Sequence, residues 1–154
     1  REGDIRTVVE ARPDILGHNV ETVPRLQRPV RRRARWDRSV FVLTHGAEVA
    51  REIGFGEMVT KTGIMLGLGE TWDEIIDAMR LLREADVDVL TIGQYLRPSR
   101  QHLPLVKYYT PAEFVRLRRI GLEMGFRHVQ SGPLVRSSYH AAEQVPGRET
   151  AAAV

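Results

Sequence analysis

The 154-residue sequence contains no cysteine. This absence excludes disulfide bonds and thiolate metal ligands within these residues, so any metal bound here would have to use His, Asp, Glu or Ser. Long apolar runs are also missing, because stretches such as residues 39–43 and 63–69 fall far short of the roughly 20 residues that span a bilayer. Nothing at the start resembles a signal peptide, and a cytoplasmic location without membrane partners is the default expectation.

A strong excess of one charge is missing too, since 23 basic residues stand against 20 acidic ones, for a net charge of +3. Dedicated nucleic-acid-binding proteins carry a larger excess of positive charge, so nucleic acid is an unlikely partner. Six arginines nevertheless fall between Arg28 and Arg38. Such a run forms either a solvated loop and helix start or a site for phosphate or an acidic partner.

Alternating patterns of apolar residues predict an α/β fold. Helical spacing occurs before Pro13, over residues 37–54, and after two capping boxes that begin at Thr71 and Thr110. Residues 14–20, 58–68, 87–96 and 127–135 have the composition of buried strands. Short connections predict parallel βα units, in an open doubly wound sheet or in part of a βα barrel. A complete barrel needs about 250 residues, so this chain could supply only about half.

The predicted domain covers residues 1–144, and residues 145–154, which begin near a Pro-Gly break, are predicted to be a flexible tail. The chain begins without methionine inside a helical pattern. We therefore expect a piece of a longer protein.

Polar residues cluster after each of the four predicted strands, where parallel sheets bind ligands. In the second cluster, three glycines would let backbone approach a ligand, and Glu70 could accept hydrogen bonds from hydroxyl or amine groups. This stretch is not a phosphate loop, because the required Lys and Ser/Thr are missing. Caps and turns could explain each cluster singly, whereas four together favour a binding or catalytic protein. The clusters are residues 17–22, 63–70, 93–99 and 136–140.

Several motifs occur in the order seen in one enzyme family: "GHNVETVPRL", "TKTGIMLGLGET", "LTIGQYLRPS", "YYTPAEF" and "SGPLVRSSYHA". From about Asp4 to Gln144 the chain resembles lipoyl synthase, a radical S-adenosylmethionine (SAM) enzyme. The glycine-rich motif is shared with many relatives, whereas "TIGQYL" together with "RSSYHA" is specific. Residues 31–35 and 40–54 depart from the family pattern.

This resemblance implies the C-terminal half of the enzyme, folded as the C-terminal part of a radical-SAM partial βα (TIM-like) barrel with parallel strands. Such enzymes insert two sulfur atoms, at carbons 6 and 8, into a protein-bound octanoyl-lysine to form lipoyl-lysine. The full-length enzymes use SAM and two 4Fe–4S clusters, one that cleaves SAM to a radical and an auxiliary one that is consumed as the sulfur source. The cysteines that hold them lie in the family's N-terminal half and are absent from this chain. We therefore expect this chain alone to be inactive.

The resemblance also implies partners and site residues. Expected partners are octanoylated lipoyl-carrier domains, namely the glycine cleavage H protein and the E2 subunit of 2-oxo acid dehydrogenases, and a reduced donor such as ferredoxin or flavodoxin. Ser138 resembles the serine ligand of the auxiliary cluster, and Arg136 would neutralise or hydrogen-bond its oxygen. An alkoxide is a harder donor than a thiolate, which suits a site that must release iron. The positions that resemble SAM contacts are Asn19, Glu21, Gly63, Gly67, Glu70 and Gln94.

One alternative from a different class stays open. The chain could be a non-catalytic, cysteine-free βα domain that binds an anionic partner through Arg28–Arg38. Cysteine triplets in the upstream coding sequence would favour the enzyme, whereas a start codon just before Arg1 would favour the binding domain.

Overall fold

The computed structural model describes residues 2–137 of the chain. Arg1 and residues 138–154 lie outside this range, and with them the predicted ligand Ser138 and the predicted tail. The elements are α1 (Glu2–Glu10), β1 (Ile15–Gly17), a 3₁₀ turn (Pro24–Leu26), α2 (Gln27–Val30), α3 (Trp36–Glu52), β2 (Val59–Leu66), α4 (Trp72–Glu84), β3 (Val89–Gln94), α5 (Pro111–Glu123) and β4 (His128–Gly132).

The four strands form one parallel sheet in the order β1-β2-β3-β4. Each strand reaches its neighbour through a helical connection, which is the pattern of successive βα units. The α/β prediction is therefore confirmed, and the parallel sheet is consistent with part of a TIM-like barrel of a radical-SAM protein.

Two capping boxes fix where α4 and α5 begin. The Thr71 hydroxyl accepts a hydrogen bond from the Glu74 amide at 3.2 Å, and the Glu74 carboxylate accepts one from the Thr71 amide at 2.8 Å. Thr110 and Glu113 form the same pair of bonds at 3.2 and 2.7 Å. Because both boxes follow the carboxyl end of a strand, they also fix the loops that border the site.

The two faces of the sheet differ in composition. One face packs against helices, and Ile64, Leu66, Leu90 and Ile92 belong to its buried apolar core. The other face, which we call the inner face, carries Lys61, Gly63, Thr91 and Gly93 at the intervening positions of β2 and β3. All six residues of β3 are buried, as predicted for a strand covered on both sides.

The sequence pattern predicted a first strand over residues 14–20, and its end was predicted wrongly. β1 ends at Gly17 instead of continuing to residue 20. The chain then bends, and Glu21 rejoins the sheet through an isolated bridge to Ile64. The helical segment over residues 24–30 was not predicted at all.

Candidate functional site

A cleft of about 250 Å³ lies on the inner face near the carboxyl ends of β2 and β3. A second hollow of about 350 Å³ adjoins it, and Asn19, Glu21 and Ser137 line both. The site therefore lies where a parallel α/β sheet is expected to bind a ligand.

Asn19 and Glu21 stand at the centre of the site. Both are half-buried, and the Asn19 side-chain amide donates a hydrogen bond to the Glu21 carboxylate at 3.3 Å. Glu21 has a φ of 67°, which is uncommon for a residue with a side chain. Two bonds hold this conformation, from the Glu21 amide to the Gly63 carbonyl at 2.9 Å and from the Met65 amide to the Glu21 carbonyl at 2.8 Å. The sheet thus stabilises a strained backbone at a cleft, as is common at functional sites.

Glycines form the floor of the cleft. A Cβ atom at Gly63 would lie 2.7 Å from the Thr91 hydroxyl and 3.1 Å from the Asn19 side-chain oxygen. A Cβ atom at Gly93 would lie 2.3 Å from the Val135 carbonyl oxygen. A side chain at either position would clash with these atoms, so glycine lets residues that line the cleft pack closely against the sheet.

The chain crosses the inner face after β4 in a segment that we call the strap, residues 133–137. Its start is tied to β3 by a bond from the Gln94 amide to the Pro133 carbonyl at 3.3 Å. Farther along, Arg136 donates from its guanidinium to the Val135 carbonyl at 2.8 Å, and Lys61 donates from Nζ to the Ser137 carbonyl. Arg136 and Ser137 are exposed and line the cleft.

The adjoining hollow contains three basic side chains, those of His18, Arg31 and Lys61. Arg31 donates to the Asn19 carbonyl at 2.9 Å, and the His18 ring lies 3.2 Å from the Ser39 hydroxyl. Burial lowers the pKa of His18, and the nearby Arg31 guanidinium lowers it further, against an opposing effect of Glu21. The imidazole is therefore neutral near pH 7.

Lys61 is the residue that the sequence analysis missed. It is only 6% exposed, and burial lowers the pKa of its ammonium group. The signal was available as one lysine inside the apolar stretch of residues 58–68. A charge in a predicted buried strand needs a partner, and that need marks the position for inspection.

Gly67, Glu70 and Gln94, which we call the loop trio, form a second polar group beside the cleft. The buried Glu70 carboxylate accepts hydrogen bonds from the Gly67 amide at 2.6 Å and the Leu68 amide at 3.0 Å. The Gln94 side chain donates to the Leu66 carbonyl at 2.8 Å and accepts from the Tyr109 amide at 2.9 Å. Of the trio, Gln94 borders the cleft, and Gly67 and Glu70 are not among the described residues that line it. Their cofactor-binding role stays a prediction.

In the third predicted cluster, residues 93–99, some residues also line the cleft while others form hydrogen bonds within a loop. Gly93 and Leu96 line the cleft. The Tyr95 hydroxyl donates to the Leu103 carbonyl at 2.9 Å, and Arg97 donates to the His102 carbonyl at 2.9 Å. These two side chains therefore shape the loop that follows β3.

Comparison with known proteins identifies the family. No family model matches the chain. The lipoyl synthase of Rubrobacter xylanophilus is 59% identical over 140 residues, which are 91% of this chain and 42% of that protein. The lipoyl synthase of Bacillus mycoides is 54% identical over 144 residues, or 94% of this chain and 47% of that protein. The chain belongs to the lipoyl synthase family.

The chain spans less than half the length of the lipoyl synthases to which it was compared. This share is consistent with the C-terminal half expected from its motifs. The activity, substrates and partners of the whole protein are therefore treated below as proposals.

The cofactors expected of a lipoyl synthase differ in how well they fit these residues. The sequence has no cysteine, and within residues 2–137 no group of three or more His, Asp or Glu side chains could hold a metal. The described residues therefore cannot by themselves hold an iron–sulfur cluster. The cleft offers an amide and a carboxylate above a glycine floor, and these groups could accept or donate hydrogen bonds to a polar ligand.

The six arginines between Arg28 and Arg38 differ in exposure. Arg31 is half-buried and lines the adjoining hollow, whereas Arg28, Arg32, Arg33 and Arg38 are exposed. Arg35 is exposed as well and pairs with Asp37 at 3.1 Å. A joint role in binding an anionic partner stays a prediction. None of the helices in the described part of the chain is long and apolar enough to cross a membrane.

Proposed function

We propose that this chain is part of an enzyme that inserts two sulfur atoms, at carbons 6 and 8, into a protein-bound octanoyl-lysine. The observation that carries this proposal is the 53–59% identity to lipoyl synthases over 91–94% of the chain. The cleft supports it, because the family-like residues Asn19, Glu21, Gly63 and Arg136 all line one space.

The cleft residues would bind and orient SAM, which supplies the radical chemistry of this family. Glu21 and Asn19 offer a carboxylate and an amide to hydroxyl or amine donors of the ligand. Gly63 lets the ligand approach the backbone of β2, and Thr91 stands behind it. Since both polar side chains are half-buried, their hydrogen bonds to a ligand meet less competition from water.

The cluster ligands would come from elsewhere in the protein. We place the cysteines that hold both 4Fe–4S clusters in the part that this chain does not include, with Ser138 as the single ligand contributed here. Arg136 lies two residues before Ser138 and lines the cleft. Its guanidinium has donors beyond the bond to the Val135 carbonyl, and we assign them to the Ser138 oxygen.

The same proposal includes a location and partners. The protein would act in the cytoplasm on octanoylated lipoyl-carrier domains, with electrons from a reduced ferredoxin or flavodoxin. The chain alone would have no activity, since one serine cannot replace the missing thiolates.

The test is to count two products in the full-length protein, reconstituted with iron and sulfide and supplied with SAM and an octanoylated carrier domain. Ser138→Ala should abolish lipoyl product while deoxyadenosine still forms, because the radical-generating cluster is held by other residues. Ser137→Ala is the matched control and should retain lipoyl product, and Arg136→Ala should fall between the two.

Two outcomes would contradict different parts of the proposal. A normal lipoyl yield from Ser138→Ala would overturn the ligand assignment and leave a helix-capping role, whose loss costs about 1 kcal/mol of stability. Absence of both products from the parent protein would overturn the function itself. Upstream cysteine triplets in the gene are the first thing to inspect, since their absence would favour the binding-domain alternative.

A further inference from the structure

The ammonium group of Lys61 is buried, and its one hydrogen bond in the described structure compensates for the water that it loses. Lys61 is the third residue of β2, with 6% of its surface exposed. Burying an ammonium group is costly unless hydrogen bonds compensate for lost water. Within residues 2–137 the structure gives it no ion pair with a carboxylate, and its hydrogen bond goes to the Ser137 carbonyl. The partner is thus the backbone of the strap.

The strap is held at its start by backbone bonds. The Gln94 amide donates to the Pro133 carbonyl at 3.3 Å, and the Val135 amide donates to the Gly132 carbonyl at 3.1 Å. Gly93 then allows close approach, because a Cβ atom there would lie 2.3 Å from the Val135 carbonyl oxygen. These contacts fix residues 133–135 and leave the last two residues to other interactions.

We propose that Lys61 is a positioning residue, whose ammonium group holds the Ser137 carbonyl and thereby fixes where the end of the strap enters the cleft. The bond joins residues 76 positions apart in the sequence and reaches from the sheet to the strap. It orients the peptide unit that precedes residue 138 and sets the position of Arg136 beside the cleft. The catalytic consequence rests on the proposed function, because it assumes that Ser138 and Arg136 take part in sulfur insertion.

Removal of the ammonium group should release the end of the strap without opening the sheet. Lys61→Met keeps the length of the side chain and suits a buried strand, so β2 and β3 should retain their packing. Loss of a hydrogen bond from a charged donor shifts a local equilibrium by at least about tenfold, so the end of the strap should open at least about tenfold more often. Lys61→Arg retains a cationic donor and should restore part of the protection.

Hydrogen exchange in the full-length reconstituted protein measures this opening directly. In Lys61→Met, peptides that cover the strap should exchange at least about tenfold faster than in the parent, while peptides from β2 and β3 keep their rates. Lys107→Met is the matched control, because this other lysine of the chain is half-exposed and bonds to Glu113 instead of the strap. Equal strap exchange in Lys61→Met and the parent would overturn the proposal.

The two products give a second readout. Lipoyl product from Lys61→Met should fall about tenfold relative to deoxyadenosine, with partial recovery in Lys61→Arg, because a misplaced strap affects sulfur insertion more than SAM cleavage. Identical product ratios in Lys61→Met and the parent would remove the catalytic part of the proposal. If the parent forms neither product, the proposed function fails, and the exchange data still decide whether Lys61 holds the strap.

Discussion

The cleft pair, Asn19 and Glu21, and the loop trio, Gly67, Glu70 and Gln94, were predicted together as cofactor contacts, yet their hydrogen bonding differs. In the trio, both Glu70 oxygens accept backbone bonds, and Gln94 uses both ends of its amide. In the pair, the structure shows one side-chain bond, at 3.3 Å between the two residues. Polar groups that already have partners hold the fold, whereas groups with remaining capacity can bind a ligand.

The largest loss of stability should come from Gly67→Ala, because the added Cβ atom disrupts the packing of the loop trio. Gly67 has a φ of 115°, and a Cβ atom there would lie 2.4 Å from the Gln94 side-chain nitrogen and 2.6 Å from the Lys107 carbonyl oxygen. We expect a loss of about 3 kcal/mol or more in the free energy of unfolding, from strain and from the displaced loop. Chemical denaturation of the purified protein measures it. Gly3→Ala is the control, because nothing lies within 4 Å of its Cβ position; equal losses in both variants would contradict the argument.

Glu70→Gln should come next and tests the carboxylate of the same trio. The substitution replaces one carboxylate oxygen, which accepts a hydrogen bond from a backbone amide, with an NH₂ group that cannot accept it. It also removes the negative charge that strengthens the second hydrogen bond. Loss of hydrogen bonds to a buried charged group costs about 2 kcal/mol. The same denaturation experiment should show little change for Glu57→Gln, an exposed glutamate on another loop. A stability equal to that of the parent would show that the trio does not support the fold.

Glu21→Gln should affect binding instead of stability. Its carboxylate has one long side-chain bond in the described structure, so the free energy of unfolding should change by no more than about 0.5 kcal/mol. Affinity for SAM should fall about tenfold, because an amide replaces a charged acceptor at the centre of the cleft. Calorimetric titration of the full-length protein gives the affinity. If Glu21→Gln lowered stability as much as Glu70→Gln, the distinction between pair and trio would be lost.

Structural features that depend on residues close together in the sequence were predicted from local sequence patterns. The capping boxes at Thr71 and Thr110 marked the starts of α4 and α5, because their bonds join residues three positions apart. Asn19 and Glu21 belong to the polar cluster that follows the first predicted strand, and the resemblance to lipoyl synthase implied their contact with SAM. The end of β1 was placed wrongly, since its bend at Glu21 depends on two backbone bonds to β2.

Contacts between distant residues were beyond the sequence patterns. The stretch of residues 63–69 contains one glycine that forms the cleft floor and another, Gly67, whose positive φ supports a loop. Only the fold separates these roles, because both glycines look alike in sequence. The partner of Lys61 could not be predicted for a related reason, since Ser137 lies 76 residues away.

The smallest effect should be a pH dependence at the edge of the loop trio, where Arg25 reaches both the trio's loop and α4. Its guanidinium donates to the Glu74 carboxylate at 2.5 Å and to the Gly69 carbonyl at 2.9 Å. The hydrogen bond from Arg25, followed by that from the Thr71 amide, lowers the pKa of Glu74 from 4.5 to about 2. Because the folded-state pKa lies below the unfolded one, this contribution to stability is complete above pH 4.5 and is lost as the pH falls towards 2.

Arg25→Gln should therefore lower the thermal midpoint slightly at pH 7, and the difference from the parent should narrow between pH 4.5 and 2. The bond to Gly69 involves no titrating group, so a small difference should persist at the acid end. Arg119→Gln is the control, since its partner Glu123 is exposed and lies 3.7 Å away. A difference between Arg25→Gln and the parent that stayed constant across this pH range would assign the effect to the Gly69 bond alone.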